Sequence, residues 1–303
     1  MLTGLGDCAT LTAARSWCHS SNYSLCMIIT SAQNPKIRQV IALRDRRARE
    51  REGVMRVEGY DEVSLALASG ARPLALYFCP ALFHPPEQAD LLEQVRRAGA
   101  ELIEVSASVF DKIAYREGPD GWLATFPAMQ ARLDDLHLSA HPFILVAEAV
   151  EKPGNLGAML RTADAAGVDV LIASDPLTDW GNPNLVRSSK GALFTVPVAA
   201  ADKAQTIAWL RHRHIGIVAA TPHAPLLYSQ ADLRGPVAIA VGPEKHGLSR
   251  AWLEAADVCV RLPMFGRVNS LNVATAAALL MYEVIRQRST HRVDFPPSPN
   301  AES

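Results

Sequence analysis

The sequence predicts an α/β protein made of two successive domains. Segments with helical periodicity alternate with short apolar strands along most of the chain, which is typical of α/β units. The strands of the second half are nearly continuous apolar runs, as expected for a mostly parallel sheet that is covered on both faces. The length of 303 residues also suits two domains better than one.

Composition narrows the functional classes. Hydrophobic residues make up 49% of the chain, and the formal net charge of −1 means that a polyanion must be bound by a local basic patch. No apolar run reaches the roughly 18 residues that a transmembrane helix needs, and the start of the chain lacks the pattern of a secretory signal. The five cysteines form no CxxC pair. We therefore expect a cytoplasmic protein with no disulfide, no metal site and no membrane association.

The first domain is predicted over residues 27–127. Residues 1–26 are rich in Ser, Thr, Cys and Gly without any period, so we expect a disordered tail, and whether it belongs to the native protein stays open. Periodicity predicts helices at 34–52, 60–69, 87–98 and 107–114, and strands at 54–58, 73–79, 101–105 and 122–126. The first of these helices carries seven Lys or Arg side chains, interspersed with three acids.

The second domain is predicted over residues 142–288, after a linker at 128–141. Buried strands are expected at 143–147, 168–173, 194–198, 215–220, 237–241 and 258–262, and helices at 156–166, 201–212, 250–255 and 271–288. Residues 289–303 contain three prolines and are expected to be disordered.

Three polar segments follow strands of the second domain, where ligands bind in sheets of this kind. They contain five candidate residues for one site: Asn155, Arg161, Glu244, Ser270 and Asn272. Each has a simpler interpretation as a helix cap, a surface ion-pair partner or a solvated loop acid. Their shared position at the carboxyl ends of strands favours one common pocket.

The three segments resemble the signature motifs of the SpoU (TrmH-like) RNA ribose 2′-O-methyltransferases of the SPOUT superfamily. The matching blocks are Glu-Lys-Pro-Gly-Asn-Leu-Gly-Ala-Met-Leu-Arg-Thr-Ala at 151–163, Val-Gly-Pro-Glu-Lys-His-Gly-Leu-Ser at 241–249, and Leu-Pro-Met-Phe-Gly-Arg-Val-Asn-Ser-Leu-Asn-Val-Ala at 262–274. The resemblance implies a deep trefoil knot, which is a rare exception to unknotted connectivity. It also implies an obligate homodimer and S-adenosylmethionine bound in the knot, chiefly by backbone groups. On matching positions the cofactor would lie against Ala220, Thr221, Gly242, Leu262, Met264 and Leu271.

The resemblance gives Arg161 the central catalytic role, in contact with the ribose 2′-OH, with the other four candidates around it. An arginine is a poor base because it is essentially always protonated. We therefore expect Arg161 to orient the ribose and stabilise the developing alkoxide, while a phosphate oxygen or water accepts the proton. Asn155 and Asn272 would orient Arg161 and the substrate. Glu244 would anchor its loop, hold Arg161, or do both.

The first domain resembles the L30e-like substrate-binding domain that precedes the knot in many family members. The supporting stretches are Ser-Ala-Gln-Asn-Pro-Lys-Ile-Arg at 31–38 and Gly-Val-Met-Arg-Val-Glu-Gly at 53–59. We expect RNA contacts from the basic first helix, namely from Lys36, Arg38, Arg46 and Arg47. A solvated charged face is the simpler alternative for this helix.

The preferred function is therefore methylation of a ribose 2′-OH, in ribosomal (23S) RNA. A tRNA substrate is the first alternative, and a catalytically idle RNA-binding or ribosome-assembly factor is the second. A nucleotide-binding oxidoreductase or NTPase is disfavoured, since Gly4-Leu-Gly6 follows no strand and the chain has no Gly-Lys pair for a P-loop. The nucleotide that is methylated, and a housekeeping or antibiotic-resistance role, stay open.

Overall fold

The structure is a computed structural model in two compact units, which divide after Pro127. It describes residues 28–83, 89–129 and 132–289. The predicted tails at 1–26 and 289–303 lie outside the described residues, except for Ser289, which ends the last helix. Each unit has its own sheet, and the prediction of a mixed α/β protein with a mostly parallel sheet is confirmed.

The first unit alternates helices and strands in the predicted order. Its elements are α1 (Pro35–Ala42), α2 (Arg46–Glu52), β1 (Val54–Glu58), α3 (Tyr60–Ala68), β2 (Ala75–Phe78), a 3₁₀ turn (Pro80–Leu82), α4 (Ala89–Arg97), β3 (Glu101–Glu104), α5 (Ala107–Ile113) and β4 (Trp122–Pro127). The sheet order is β1-β4-β2-β3, with β4 antiparallel to both of its neighbours and β2 parallel to β3.

The basic segment 34–52 forms two helices, so the prediction of a single helix is wrong. Asp45 separates them in extended backbone, with φ −85° and ψ 137°. Its carboxylate accepts hydrogen bonds from the backbone N–H groups of Arg47 (2.8 Å) and Ala48 (3.3 Å). A short acidic side chain is more stable as such a cap than in a helix interior, because it competes for backbone hydrogen bonds.

Two of the seven basic side chains in this segment stabilise the fold. Arg49 is buried and donates to the backbone carbonyls of Leu43 (2.9 Å) and Arg44 (2.8 Å), which lie just beyond the end of α1. Arg44 donates to the carbonyls of Lys112 and Ala114, each at 2.7 Å, at the end of α5. Both arginines therefore satisfy carbonyl groups that helix ends leave unpaired.

The second unit contains a seven-stranded parallel sheet. Its elements are a 3₁₀ turn (Leu133–Asp135), β5 (Phe143–Glu148), α6 (Pro153–Ala165), β6 (Val170–Ser174), α7 (Pro183–Ser189), a 3₁₀ turn (Ala192–Phe194), β7 (Val198–Ala201), α8 (Lys203–His212), β8 (Gly216–Ala220), β9 (Leu226–Leu227), a 3₁₀ turn (Tyr228–Gln230), β10 (Val237–Val241), α9 (Arg250–Ala255), β11 (Val258–Arg261) and α10 (Val273–Ser289). The strand order is β7-β6-β5-β10-β8-β11-β9. Every residue of β5, β6 and β10 is buried, as their apolar runs predict.

The segment before β7 differs from the prediction of a strand at 194–198. A 3₁₀ turn occupies its start, and pairing begins only at Val198. Pro197 cannot donate to a strand ladder, which limits the strand on that side. Helix α7 was not predicted, although Asn182 followed by Pro183 is a helix-start signal, and the Asn182 side chain accepts from the Asn184 N–H at 3.0 Å.

The predicted linker at 128–141 belongs in part to the second unit. Leu133 is buried in the core of that unit, and Leu136 and Leu138 pack against the same cluster. The segment is therefore not a free tether over its described length.

Gly157 sets the spacing between α6 and α7. A Cβ atom at this position would meet the Ser188 Oγ atom at 1.9 Å and the Leu185 carbonyl oxygen at 2.5 Å. The two helices can pack at this distance only because residue 157 has no side chain. Since α6 carries Asn155 and Arg161, the packing fixes the helix on which the candidate site depends.

Gly157→Ala should destabilise the second unit by about 1–3 kcal/mol, because the methyl group must push α7 away. Urea denaturation measures the change in the free energy of unfolding. Gly154→Ala is the matched control in the same helix, since nothing lies within 4 Å of its Cβ position. It should leave stability unchanged or raise it by up to about 1 kcal/mol. Equal effects of the two substitutions would contradict the close packing.

Candidate active site

The candidate site lies at the carboxyl edge of the parallel sheet. Val241 at the end of β10 pairs with Ala147 near the end of β5, so the segments that follow these two strands start side by side. Strand β11 ends at the same edge, and the chain continues from it through residues 262–272 into α10. The three predicted segments therefore share one edge, as the strand pattern predicts.

One carboxylate joins the three segments. Glu244 Oε1 accepts hydrogen bonds from the side-chain amides of Asn155 (3.3 Å) and Asn272 (2.8 Å). The Asn272 amide also donates to Asn155 Oδ1 at 3.2 Å. These bonds link residues that are 89 and 117 positions apart in sequence. Asn155, Glu244 and Asn272 thus form one polar cluster.

Asn272 also caps the last helix. Its Oδ1 atom accepts from the backbone N–H groups of Ala274 (3.0 Å) and Thr275 (3.3 Å), while its amide faces the polar cluster. The side chain is therefore satisfied on both ends and is held in one orientation. Helix α10 starts at Val273, two residues later than the sequence predicts, and the cap is Asn272 and not Ser270.

Lys152 is a member of the cluster that sequence reasoning missed. Its Nζ atom lies 3.1 Å from Glu244 Oε2, the oxygen that faces away from the two amides. The Lys152 ammonium lowers the pKa of the Glu244 carboxyl group, and the Val273 backbone N–H and the Asn155 amide act in the same direction. The signal was its place in the first motif block, three residues before Asn155.

A buried acid anchors the end of the loop that carries Glu244. Glu148, at the end of β5, is only 3% exposed, and its Oε2 atom accepts from the backbone N–H of Ser249 at 2.7 Å. Lys203 Nζ lies 4.0 Å from the other oxygen and also bonds to Asp175 at 2.7 Å. The loop is thus fixed at its end by a charge-assisted hydrogen bond.

The same loop folds tightly at its start. A Cβ atom on Gly242 would meet the Gly247 carbonyl carbon and the Leu248 nitrogen, both at 2.4 Å. Gly247 itself has a left-handed φ of 65° and donates to the Pro243 carbonyl at 2.9 Å. Both glycines are required by this turn, which presents Glu244 to the two asparagines.

The segment between β11 and α10 has unused hydrogen-bonding capacity. Among the described residues, no backbone group of 263–271 has a hydrogen-bond partner in the protein. Leu262, Met264 and Leu271 are half-buried, as are Ala220 and Thr221 at the end of β8. A segment that offers apolar side chains together with unpaired backbone N–H and C=O groups is suited to bind a ligand through main-chain hydrogen bonds.

Arg161 and Ser270 stand apart from the polar cluster. Both are exposed, and neither side chain has a hydrogen bond or ion pair with any described residue. Asn155 and Asn272 contact each other and Glu244, and they do not hold Arg161, contrary to the expected arrangement. The carboxylate of Glu244 binds Lys152 instead.

The four basic residues predicted to contact RNA lie on α1 and α2 of the first unit, and all four are exposed. Lys36 pairs with Glu101, and Arg46 pairs with Glu50 at 2.7 Å. Arg38 and Arg47 have no ion-pair partner in the part of the chain that the structure describes. These two guanidinium groups are available to an anionic ligand.

Comparisons with known proteins agree with this arrangement. The model of the SpoU rRNA methylase family matches residues 142–282, and that of an MRM3-like substrate-binding domain matches residues 34–124. The 23S rRNA (guanosine-2′-O-)-methyltransferase RlmB of Ralstonia nicotianae is 31% identical over 236 residues, which cover 76% of this chain and 95% of that protein. The chain belongs to the SpoU methylase family. The resemblance seen in the three motifs is thereby confirmed.

Solved structures of SpoU-type methyltransferases have the same fold over both units. The crystal structure of an RNA 2′-O ribose methyltransferase is 40% identical, covers 86% of this chain and 99% of its own, and has a TM-score of 0.76. The rRNA methyltransferase of Sinorhizobium meliloti, solved with AdoMet bound, is 28% identical, covers 88% and 98%, and has a TM-score of 0.79.

Two negative findings apply to the described part of the chain. It contains no group of three or more His, Cys, Asp or Glu side chains that is placed to hold a metal ion. None of its helices combines the length and the apolar character that crossing a membrane requires.

Removing Lys152 should raise the pKa of Glu244. In Lys152→Met we expect the carboxyl group to titrate closer to its ordinary value of 4.5, because the hydrogen-bonded ammonium is the main cause of the lowered pKa. Carbon-13 NMR titration of the side-chain carboxyl measures this directly. Because the pKa of Glu244 is lowered in the folded state, its contacts stabilise the protein at pH values above the ordinary carboxyl pKa. This stabilisation is lost as the pH falls through the lowered pKa.

Lys245→Met is the control for that titration, since Lys245 is the exposed neighbour of Glu244 and has no ion pair with a described residue. It should leave the Glu244 titration almost unchanged. A pKa that shifts equally in both variants would mean that the general positive charge of the loop, and not the Lys152 contact, is responsible.

Glu148→Ala should cost about 1–3 kcal/mol of stability, because it leaves the Ser249 N–H without its acceptor next to buried surface. Glu148→Gln keeps an acceptor oxygen at the same place and should lose less. Thermal and urea unfolding of the two variants give the comparison. If the glutamine variant is as unstable as the alanine variant, the negative charge near Lys203 matters more than the hydrogen bond.

Proposed function

We propose that this protein transfers a methyl group from S-adenosylmethionine to a ribose 2′-OH of RNA, and that its substrate is ribosomal (23S) RNA. The observation that carries the proposal is the cluster of Asn155, Glu244 and Asn272, which joins the three family motifs at one sheet edge. Family membership supports the reaction, and the relative named for 23S rRNA supports the substrate.

S-adenosylmethionine supplies an electrophilic methyl group on a sulfonium. The residues present fit such a cofactor, since the backbone groups of 263–271 are unused and the half-buried side chains of Leu262, Met264 and Leu271 offer apolar contacts. Ala220, Thr221 and Gly242 complete the proposed binding residues. The AdoMet-bound structure of a related rRNA methyltransferase supports the cofactor assignment.

Arg161 is the proposed catalytic residue that contacts the ribose. Its guanidinium is permanently protonated, so it orients the 2′-OH and the neighbouring phosphate and stabilises the alkoxide that develops as the proton leaves. The proton goes to a phosphate oxygen or to water. Asn155, Glu244 and Asn272 position the motif segments around the reacting hydroxyl, and Ser270 offers a further hydroxyl on the same segment.

The first unit is the proposed substrate-binding domain, with an L30e-like fold. Its match to the MRM3-like substrate-binding model supports this role. Arg38 and Arg47 are the strongest candidates for phosphate contacts because no described residue pairs with them. Lys36 and Arg46 would first have to exchange their carboxylate partners for phosphates. We propose residues 27–127 and 142–288 as the two functional domains.

We propose that the second unit is a deep trefoil knot. The connection from β8 to β10 runs by way of β9, which lies on the far side of β11. After β11 the chain returns into α10, where Gln287 bonds to the Ala231 carbonyl (2.9 Å) and the Leu233 N–H (2.8 Å) of that same connection. Helix α10, which follows β11, is thus bonded to the β8–β10 connection, and that connection itself reaches across β11. This supports a threaded arrangement.

A homodimer and a cytoplasmic location complete the proposal. Leu279 and Tyr282 are 43% and 52% exposed on α10, which also has several small alanine side chains. An exposed apolar helix face of this kind favours association with a second copy. The cytoplasm is the compartment where an enzyme acting on bacterial-type 23S rRNA meets its substrate, and Cys79 and Cys259 are unpaired thiols.

The function is tested by incubating the purified protein with methyl-labelled S-adenosylmethionine and separate pools of ribosomal RNA and tRNA. Label in 23S RNA, mapped to one ribose 2′-O position, is the expected result. Mapping also tests whether the base is guanosine, as in the name of the relative. Label only in tRNA would favour the tRNA alternative, and label in neither pool would favour an idle RNA-binding factor.

Arg161→Ala should lower kcat by at least about a hundredfold, because the main donor to the developing alkoxide is lost. Its Kd for S-adenosylmethionine, measured by calorimetry, should stay near the wild-type value. Arg161→Lys keeps the charge without the planar fork and should be intermediate. Arg250→Ala removes an exposed arginine whose one ion pair with a described residue is to Glu254, and it serves as the control. An Arg161→Ala variant with most of its activity would refute the assigned role.

A further inference from the structure

We propose that Phe265 is a stacking platform for a base of the RNA substrate, close to the methylated ribose. This inference rests on the proposed function and adds a contact that selects the substrate. The phenyl ring is 96% exposed, the highest value among the large hydrophobic side chains that the structure describes. The ring is therefore accessible to a flat partner, and bases of single-stranded RNA stack on aromatic side chains presented in this way.

The exposed ring is presented by a segment that is held at both ends. At its start, β11 pairs with β8 and β9, and the next residues, Leu262 and Met264, are half-buried. At its end, Asn272 bonds to Asn155 and Glu244. Phe265 is therefore directed outward from an anchored loop.

The anchored loop also limits the distance between the Phe265 ring and Asn272 in the polar cluster. Phe265 lies seven residues before Asn272 in the sequence. Even a fully extended chain of this length spans no more than about 25 Å, which is a reach of a few nucleotides. The base that stacks on Phe265 therefore belongs to the target nucleotide or to one near it.

The charge around Phe265 favours a nucleic acid as the partner. The segment 262–272 contains no acidic residue. Arg267 is exposed, and no described residue pairs with it. An aromatic face beside an unpaired cation is the combination by which proteins hold single-stranded RNA, with the base on the ring and the phosphate on the cation.

A second copy of the chain is the competing occupant, and the local sequence disfavours it. The exposed residues that follow Phe265 in the loop are Gly266, Arg267, Val268, Asn269 and Ser270, and among these only Val268 has an apolar side chain. One ring with one valine does not make a continuous apolar face. The exposed face of α10 offers a second copy a better surface.

Two substitutions separate stacking from simple apolar contact. Phe265→Leu keeps an apolar side chain of similar size but removes the aromatic face, whereas Phe265→Trp keeps it. The Kd for deproteinised ribosomal RNA, measured by filter binding at fixed salt, should rise about tenfold or more in the leucine variant. It should stay within about threefold of the wild type in the tryptophan variant. The KM for RNA should follow the Kd, while the Kd for S-adenosylmethionine should not change.

The salt dependence of binding distinguishes the ring from the charge. Arg267→Met should flatten the plot of log Kd against log salt concentration by about 0.7–0.9, the value for one lost phosphate contact. Phe265→Leu should leave that slope unchanged, because stacking releases no counterion. Leu253→Ala, which truncates an exposed apolar side chain on α9, is the control and should bind RNA as the wild type does.

Three results would overturn the proposal. Wild-type RNA affinity in Phe265→Leu would do so, and so would an equal loss in the leucine and tryptophan variants. A loss of the dimer in sedimentation of Phe265→Leu would assign the ring to a second copy.

If the wild-type protein binds ribosomal RNA without methylating it, the proposed function fails, but the comparison of Kd values still tests Phe265. If the wild-type protein binds no RNA, both are refuted.

Discussion

The arrangement of the site depends on the carboxylate of Glu244. It accepts two side-chain amides on one oxygen and an ammonium on the other, from residues in the first and third motif segments. The loop that carries this carboxylate is anchored by the hydrogen bond from the Ser249 N–H to buried Glu148. Gly242 allows the tight turn at its start. Three chain segments, which meet only in the folded protein, are thereby held in one geometry before any ligand binds. Preorganisation of this kind is what a positioning mechanism of catalysis requires.

Asn272 shows why the structural and the functional interpretation of a residue need not compete. Its side-chain oxygen caps α10, and its amide donates to Glu244 and Asn155. Capping fixes the side chain in one rotamer, so the amide can be aimed at the site without further loss of conformational entropy. The helix whose start is set in this way is also the one that packs against the β9–β10 connection.

The sequence predicted elements well where one local pattern decided them, and less well where a contact from elsewhere did. The bounds of β10 follow from its apolar run, and the predicted bounds of both β10 and α9 agree with the structure. The break at Asp45 was visible only as an acid within a basic helix, and the structural role of Arg49 depends on carbonyls that the helix break exposes. The partner of Lys152 is 92 residues away, so no local pattern could identify it. The proposed threading of the chain would leave no trace in periodicity at all.

Among the described residues Glu244 makes no ion pair with Arg161, and this determines how charge is distributed near the polar cluster. If Glu244 paired with Arg161, the two charges would cancel, and the guanidinium would have to give up a carboxylate before it could bind a phosphate. Instead Lys152 occupies the carboxylate, and Arg161 stays exposed without a partner among the described residues. The carboxylate is thus neutralised by an ammonium while an arginine remains available. Arg161 and, on the segment before α10, Arg267 thus both keep exposed guanidinium groups that can bind the phosphates of RNA.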